Sequence, residues 1–335
     1  MDMNRQVVLR KRPLGLLAPA DVEVVETPVP DLQNGEALLK VDYIGMDATV
    51  RSWLNASPGY LPPVEIGEVV RAASVGTIVA SRCDAYAVGD VCTSLTGWQQ
   101  YGICRDDFFT THIGGSDDDI DKQAVMALYG STGATAYFGL LEAGRPQAGE
   151  TLVVSAAAGA TGSIVGQIGK IVGCRVIGIA GTDDKCSMLV DELGFDGAIN
   201  YRTEDVSARL KELCPKRVDV FFDNVGGEVL DAVLGRLALR ARIVLCGAIS
   251  GYNEERKPPG PPNYVNLIQM RAQMIGYLNI DDVPRYPEAM TQLEAWHRDG
   301  LLKYKAEVFD GLDRAVDALN SLFTGGNTGK VMLKP

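Results

Sequence analysis

The sequence predicts an α/β protein of two domains: a β-rich domain assembled from both ends of the chain, and a doubly wound parallel-sheet domain inserted between them. Three observations carry this. Short β-rich runs alternate with turns through residue 126. The middle of the chain alternates runs of strand and helix length, and the last apolar strand is too short to form a domain alone. At 335 residues and 46% hydrophobic content, the chain has enough apolar mass for two cores.

From the N-terminus, "VEVVETPVP", "EALLKVDYIG" and "VGTIVAS" are rich in β-branched residues and are separated by Pro, Gly and Asp, the pattern of antiparallel or barrel-like strands. Composition shifts toward helix formers at "DKQAVMALYGSTGATAYFGLLEAG". A regular succession follows: "ETLVVSA", "GSIVGQIGKIVG", "RVIGIAG", "KCSMLVDELG", "GAINY", "DVSARLKELC", "VDVFFDNVG", "EVLDAVLGRLA", "ARIVLCGAIS" and "RAQMIGYLNI". Alternation of this kind predicts a parallel sheet covered on both faces. The final segment, ending in "GGNTGKVMLKP", is expected to rejoin the first domain. The expected boundaries are 1–126 with 295–335, and 127–294.

A net charge of -11, with basic residues scattered along the chain, excludes nucleic acid and anionic membrane as partners on electrostatic grounds. The N-terminus has no signal-peptide core, and no apolar run reaches the ~18 residues needed to cross a bilayer, so a cytoplasmic location is expected. Seven cysteines, without a C-x-x-C pair, read as reduced and mostly buried thiols.

In "VVSAAAGATGSIVGQIGKIVG", Ala156, Gly159 and Gly162 stand in A-x-x-G-x-x-G spacing between a predicted strand and helix. With Ala160 and Thr161 they form a turn of little bulk, which lets backbone N–H groups and the positive helix end approach a pyrophosphate. Gly166 lets that helix pack close to the sheet. The end of the second strand decides the cofactor. Asp183 lies about twenty positions past Gly162, where NAD-binding folds place a ribose-binding acid. The competing reading has Asp183 and Asp184 cap the next helix, Gly181 leave open space, and Lys185 meet a 2′-phosphate. The second reading is favoured, and NADP(H) is the expected cofactor.

Seven blocks in order resemble the zinc-independent medium-chain dehydrogenase/reductases, in particular the leukotriene B4 dehydrogenase, prostaglandin reductase, double-bond reductase and curcumin reductase group: "TGWQQY" (96–101), "STGATAYFGLL" (131–141), "GETLVVSAAAGATGSIVGQIGKIVGCRVIGIAGTDDKC" (149–186), "LGFDGAINY" (193–201), "FDNVGG" (222–227), "CGAISGYN" (246–253) and "GNTGKVML" (326–333). The resemblance covers nearly the whole chain and implies a GroES-like β domain with a Rossmann domain inserted in it. It assigns Lys185 and Tyr201 to the 2′-phosphate. Asn224, the turn Cys246, Gly247, Ala248, Ile249 and Ser250, and Asn327 are assigned to the ribose and nicotinamide. It also implies Tyr252 as the proton donor acting with the nicotinamide ribose, a role the residues do not separate from cofactor positioning. One departure is Ser131, where many relatives carry Met.

Catalytic zinc needs three protein ligands, usually Cys and His, whereas this chain has two histidines, His112 and His297, and "EIGEVV" (65–70) places Glu68, not a histidine, directly after Gly67. His112 reads as a surface residue and Cys246 as a small core residue. Reduction of an activated C=C needs less: NADPH supplies hydride, and the protein orients the β-carbon and offers hydrogen bonds to an enolate-like oxygen. A tyrosine hydroxyl, protonated at neutral pH, suits that role. Tyr60 in "SPGYLPP" is a second donor candidate, against a packing role. Trp98 and Tyr101 read as core or pocket wall, and Arg51 as solvated or as a partner for a substrate carboxylate.

The leading expectation is therefore an NADPH-dependent reductase of α,β-unsaturated carbonyl compounds. The alternatives are a quinone reductase and a non-catalytic NADPH-binding sensor. The strand "RAQMIGYLNI" is expected to pair across a two-fold axis in a homodimer, because an exposed edge invites pairing.

Overall fold

A computed structural model describes residues 3–57, 59–116, 119–254 and 259–335. The chain forms two compact units, Met1–Met126 with Ala306–Pro335, and Ala127–Lys305. Among the described residues no helix is long and apolar enough to cross a membrane.

In the first unit, β1 (Met3–Leu9) pairs antiparallel with β2 (Val22–Pro28). The long β3 (Glu36–Met46) pairs antiparallel with β4 (Ser74–Ser81), which carries β5 (Val91–Ser94). β6 (Tyr101–Arg105) also pairs with β3, and β7 (Thr111–Gly114) pairs with β5. Leu39, Ile44, Ile78 and Trp98 lie fully buried in this unit's core.

The second unit holds a six-stranded parallel sheet: β8 (Thr151–Val154), β9 (Arg175–Ala180), β10 (Gly197–Asn200), β11 (Val218–Asp223), β12 (Leu237–Leu245) and β13 (Gln273–Gly276). Its order, β10-β9-β8-β11-β12-β13, is the doubly wound order, and successive strands are added outward to one side through β10 and to the other from β11, so that the order switches between β8 and β11, where such folds open a crevice for ligand. Alternate residues feed opposite faces. Leu152, Val154 and Phe222 join one core with Ile164 and Val165, while Val153, Ile177 and Phe221 join the other. Burial on both faces explains why these strands read as unbroken apolar runs, and each buried side chain of this kind stabilises by roughly 1.5–3 kcal/mol.

The chain re-enters the first unit as β14 (Ala306–Asp310) and β15 (Lys330–Lys334), with β15 antiparallel to β3. The sequence places this return at residue 295, but residues 295–305 stay with the second unit. Leu293 and Leu302 are buried in its core. The Gln167 amide also locks the segment: its Nε2 donates to the Lys303 carbonyl at 2.9 Å, and its Oε1 accepts the Lys303 N–H at 2.8 Å.

Candidate cofactor-binding site

Ala156 follows β8 in a left-handed conformation, φ 46°, and its carbonyl accepts the Gly159 N–H at 2.9 Å. A Cβ on Gly162 would stand 2.4 Å from that carbonyl oxygen, and one on Gly166 would stand 1.8 Å from the Phe195 ring. Both positions therefore exclude any side chain. Gly159 differs: a Cβ there meets only the Ala156 oxygen, at 3.2 Å. It is the N-cap of the Ala160–Val172 helix and caps it with no side chain. By helix geometry the N–H groups of Ala160, Thr161 and Gly162 have no carbonyl within the helix, and they sit at its positive end. This is a cradle for an anion such as a pyrophosphate.

At the end of β9, Gly181 does not leave open space. A Cβ there would lie 3.1–3.3 Å from the Tyr201 ring, so the glycine makes room for the tyrosine, whose N–H bonds the Ala180 carbonyl at 3.0 Å. The capping expectation is also corrected. Thr182, not Asp183 or Asp184, caps the Asp183–Asp191 helix, with its hydroxyl accepting the Lys185 N–H at 3.3 Å. A threonine reaches the third N–H of a helix from the N-cap position, which the aspartates, already inside the first turn, do not occupy. Asp183 instead accepts from Asn200 Nδ2 at 2.6 Å. Lys185 is half-buried in the same turn. Arg202, which the sequence reading missed, sets its guanidinium 5.9 Å from the Tyr201 ring centroid, within cation–π range. Its signal was a cation adjacent to an expected phosphate-side tyrosine.

The loops after β8, β11 and β12 meet at Asp223, which is fully buried. Its carboxylate accepts from Ser155 Oγ at 2.8 Å, from the Val225 N–H at 3.0 Å and from the Gly226 N–H at 3.1 Å. Burial pushes its pKa up, and these donors work against that shift. The Asp223 carbonyl accepts the N–H groups of Cys246 and Gly247 at 2.9 and 3.1 Å. Asn224 donates its N–H to Ser155 Oγ and its Nδ2 to the Ser155 carbonyl, both at 2.8 Å. Ser250 Oγ donates to the Val225 carbonyl at 2.6 Å, and the Ile249 N–H donates to that of Asn224 at 3.3 Å. Asp223 and Ser155 escape a motif search because nothing local marks a buried acid at a strand end.

This lattice fixes the turn Cys246–Gly247–Ala248 beside an open cavity of about 300 Å³, lined by Asp223, Gly226, Leu230, Cys246, Gly247 and Tyr252 among others. Tyr252 Oη accepts the Ala248 N–H at 3.2 Å. Burial pushes the Cys246 thiol up to about 12, leaving it protonated at neutral pH and inert as a nucleophile.

The remaining predicted residues belong to the first unit, apart from Ser131. Tyr60 Oη and Thr49 Oγ1 share a hydrogen bond at 2.7 Å, and its ring meets Trp53 edge-on at 6.2 Å. Desolvation raises its pKa, which keeps it a donor. Asn327 is buried, and its Nδ2 donates to the Gly329 carbonyl at 3.3 Å. Arg51 is neither solvated nor a carboxylate partner. It is 3% exposed and donates to the Gly15 and Pro13 carbonyls at 2.8 and 3.1 Å and to Asn55 Oδ1 at 2.7 Å. His112 is exposed beside Asp90, 3.3 Å away, while Trp98 is core and Tyr101 is half-buried. Ser131 opens the Ser131–Phe138 helix, and its carbonyl accepts from Asn279 Nδ2 at 3.3 Å. Among the described residues no three His, Cys, Asp or Glu side chains gather as a metal-binding group.

Residues 5–111 match a family model described as the N-terminal domain of oxidoreductase, and residues 160–295 match one described as zinc-binding dehydrogenase. The chain is 37% identical to an NADPH-dependent curcumin reductase of Escherichia coli (strain K12), covering 99% of this chain and 96% of that protein. It is 36% identical to a 2-alkenal reductase (NADP(+)-dependent) of Nicotiana tabacum, covering 98% and 96%. The solved structure of CurA in complex with NADPH from Vibrio vulnificus superposes with a TM-score of 0.93 at 38% identity, covering 98% of both chains.

Proposed function

The chain belongs to the zinc-independent medium-chain dehydrogenase/reductases, in the group of curcumin and alkenal reductases, and we propose that within it this enzyme reduces the C=C bond of α,β-unsaturated ketones and aldehydes. It is an NADP-dependent oxidoreductase. The residues fit the cofactor: the uncapped N-terminus of the Ala160–Val172 helix would hold the pyrophosphate, Lys185 and Tyr201 the 2′-phosphate, and Asn224 with the turn Cys246–Ser250 the nicotinamide ribose. NADPH, when bound, supplies the hydride that adds to the β-carbon of the substrate.

The chain's own part is positional and protic. Gly162 and Gly166 let the helix approach the sheet, and the Asp223–Ser155 lattice holds the turn that carries Tyr252. The carrying observation is that phenol. It accepts the Ala248 N–H beside the cavity, and a phenol in that position suits protonation of an enolate-like oxygen or of the α-carbon through the ribose hydroxyl. Tyr60, whose pKa is raised by desolvation, is proposed as the substrate-side donor. A homodimer through the outer edge of β13 and a cytoplasmic setting complete the reading. The edge takes no further strand among the described residues, and light scattering on the eluted protein measures the assembly.

The test follows the absorbance of the reduced cofactor with a panel of enones, enals and quinones. NADPH-selective turnover of enones and enals is expected. Faster turnover of quinones, or tight NADPH binding with no turnover, overturns the reading. Tyr252→Phe should lower kcat by about 10²-fold, the low end of general-acid contributions, with NADPH affinity nearly unchanged. A loss confined to affinity would make Tyr252 a positioning residue.

A further inference from the structure

Asp183 poses a problem for an NADP(H) site. It stands where dinucleotide folds place the acid that accepts from the ribose hydroxyls, and an unrestrained carboxylate there would repel a 2′-phosphate. The structure shows what restrains it. Asn200, at the end of β10, is 4% exposed, and its amide is used at both ends: Nδ2 donates to Asp183 Oδ1 at 2.6 Å, and Oδ1 accepts the Arg202 N–H at 3.1 Å. A carboxylate demands a donor and an N–H an acceptor, so the amide has one orientation only. The Asn200 main-chain N–H donates to Glu204 Oε2 at 2.8 Å, so the same residue also holds the second nearby acid.

We infer that Asn200 is a specificity-determining residue, which draws the Asp183 carboxylate onto β10 and leaves Lys185, Tyr201 and Arg202 to define the phosphate end of the site. Its bond to the Arg202 N–H sets the turn that lays Tyr201 against Gly181 and holds the Arg202 guanidinium 5.9 Å from the ring centroid. Arg202 thereby adds a second cation to the end that Lys185 serves, and an anion of two charges gains from both. The inference rests on the 2′-phosphate placement proposed above.

Titration of NADPH, NADH and adenosine 2′,5′-bisphosphate against the wild type, Lys185→Ala, Asp183→Ala, Asn200→Ala and the Asp183→Ala/Asn200→Ala double variant tests it, with binding read by fluorescence. Asn200→Ala should weaken NADPH and the bisphosphate about tenfold, the scale of coupling between contacting groups, while NADH holds or tightens. Asp183→Ala should stay near wild type, and the double variant should return to within about threefold of it. Equal losses for NADPH and NADH, or a loss that removing Asp183 does not correct, overturns the inference and leaves Asn200 a turn residue. If Lys185→Ala leaves NADPH binding intact, the phosphate placement itself fails, a separate outcome. Where Asn200→Ala unfolds in a thermal scan, Asn200→Ser replaces it, because serine can accept the Arg202 N–H yet is too short to reach Asp183.

Discussion

The ends of β9 and β10 and the ends of β8, β11 and β12 belong to one sheet, yet they are built by different means. At β9 and β10 the chain meets the proposed ligand with half-buried or exposed side chains, Lys185 in the first turn of the Asp183–Asp191 helix and Tyr201 and Arg202 on the turn after β10. At β8, β11 and β12 it does so with backbone turns, held by one buried carboxylate that gathers three donors while its own carbonyl gathers two more. The proposed site thus puts selectivity where residues can be exchanged cheaply. Position resides where exchange disturbs everything around it.

That contrast predicts unequal responses to mutation. The largest belongs to Asp223→Ala, which orphans the Ser155, Val225 and Gly226 donors. We expect a loss of about 3–5 kcal/mol in urea unfolding, with NADPH and NADH binding lost together. Gly162→Ala forces a Cβ against the Ala156 carbonyl and should cost about 1–3 kcal/mol, again without preference between the cofactors. Lys185→Ala reverses the pattern: NADPH affinity falls roughly 10- to 100-fold, the worth of a charge-assisted hydrogen bond, while NADH affinity stays put and stability moves by no more than about 0.5 kcal/mol. If Asp223→Ala spared NADH, or Lys185→Ala weakened both, the division between the two ends would collapse.

The smallest effect lies at the opposite end of the sheet. Glu150 is pushed up by burial, but the two hydrogen bonds from Arg242, the Gln147 N–H and the Arg242 charge outweigh this and hold it below the usual carboxylate range. A depressed carboxyl contributes stability above its unfolded pKa and loses it as pH falls through the folded value. Mild acid should therefore lower the unfolding midpoint, and Glu150→Gln should flatten that slope without altering cofactor preference.

Much of this was readable from the sequence because its physics is local. A βα turn with Ala156, Gly159 and Gly162, and strands of unbroken apolar residues, announce a parallel sheet and a phosphate cradle from short windows. What stayed hidden depends on distant partners. Gly181 is small because of Tyr201, and Gly166 because of Phe195. Arg51 looked solvated because nothing nearby in sequence reveals the carbonyls of Pro13 and Gly15 that surround it. Within "FDNVGG" only Asn224 drew notice, because nothing local marks Asp223 as the point where three loops are tied.

The return of the chain to β3 has a consequence for the order in which the protein is made. β15 takes its place against β3 only after Lys330–Lys334 leave the ribosome, so the first unit waits with an open strand edge while residues 127–305 are made. The parallel-sheet unit, continuous from Ala127 to Lys305, can meanwhile close on itself. Domains generally fold as units during synthesis, and here the one that starts first finishes last. A truncation before β15 should therefore leave the nucleotide-binding unit intact beside a first unit prone to aggregate.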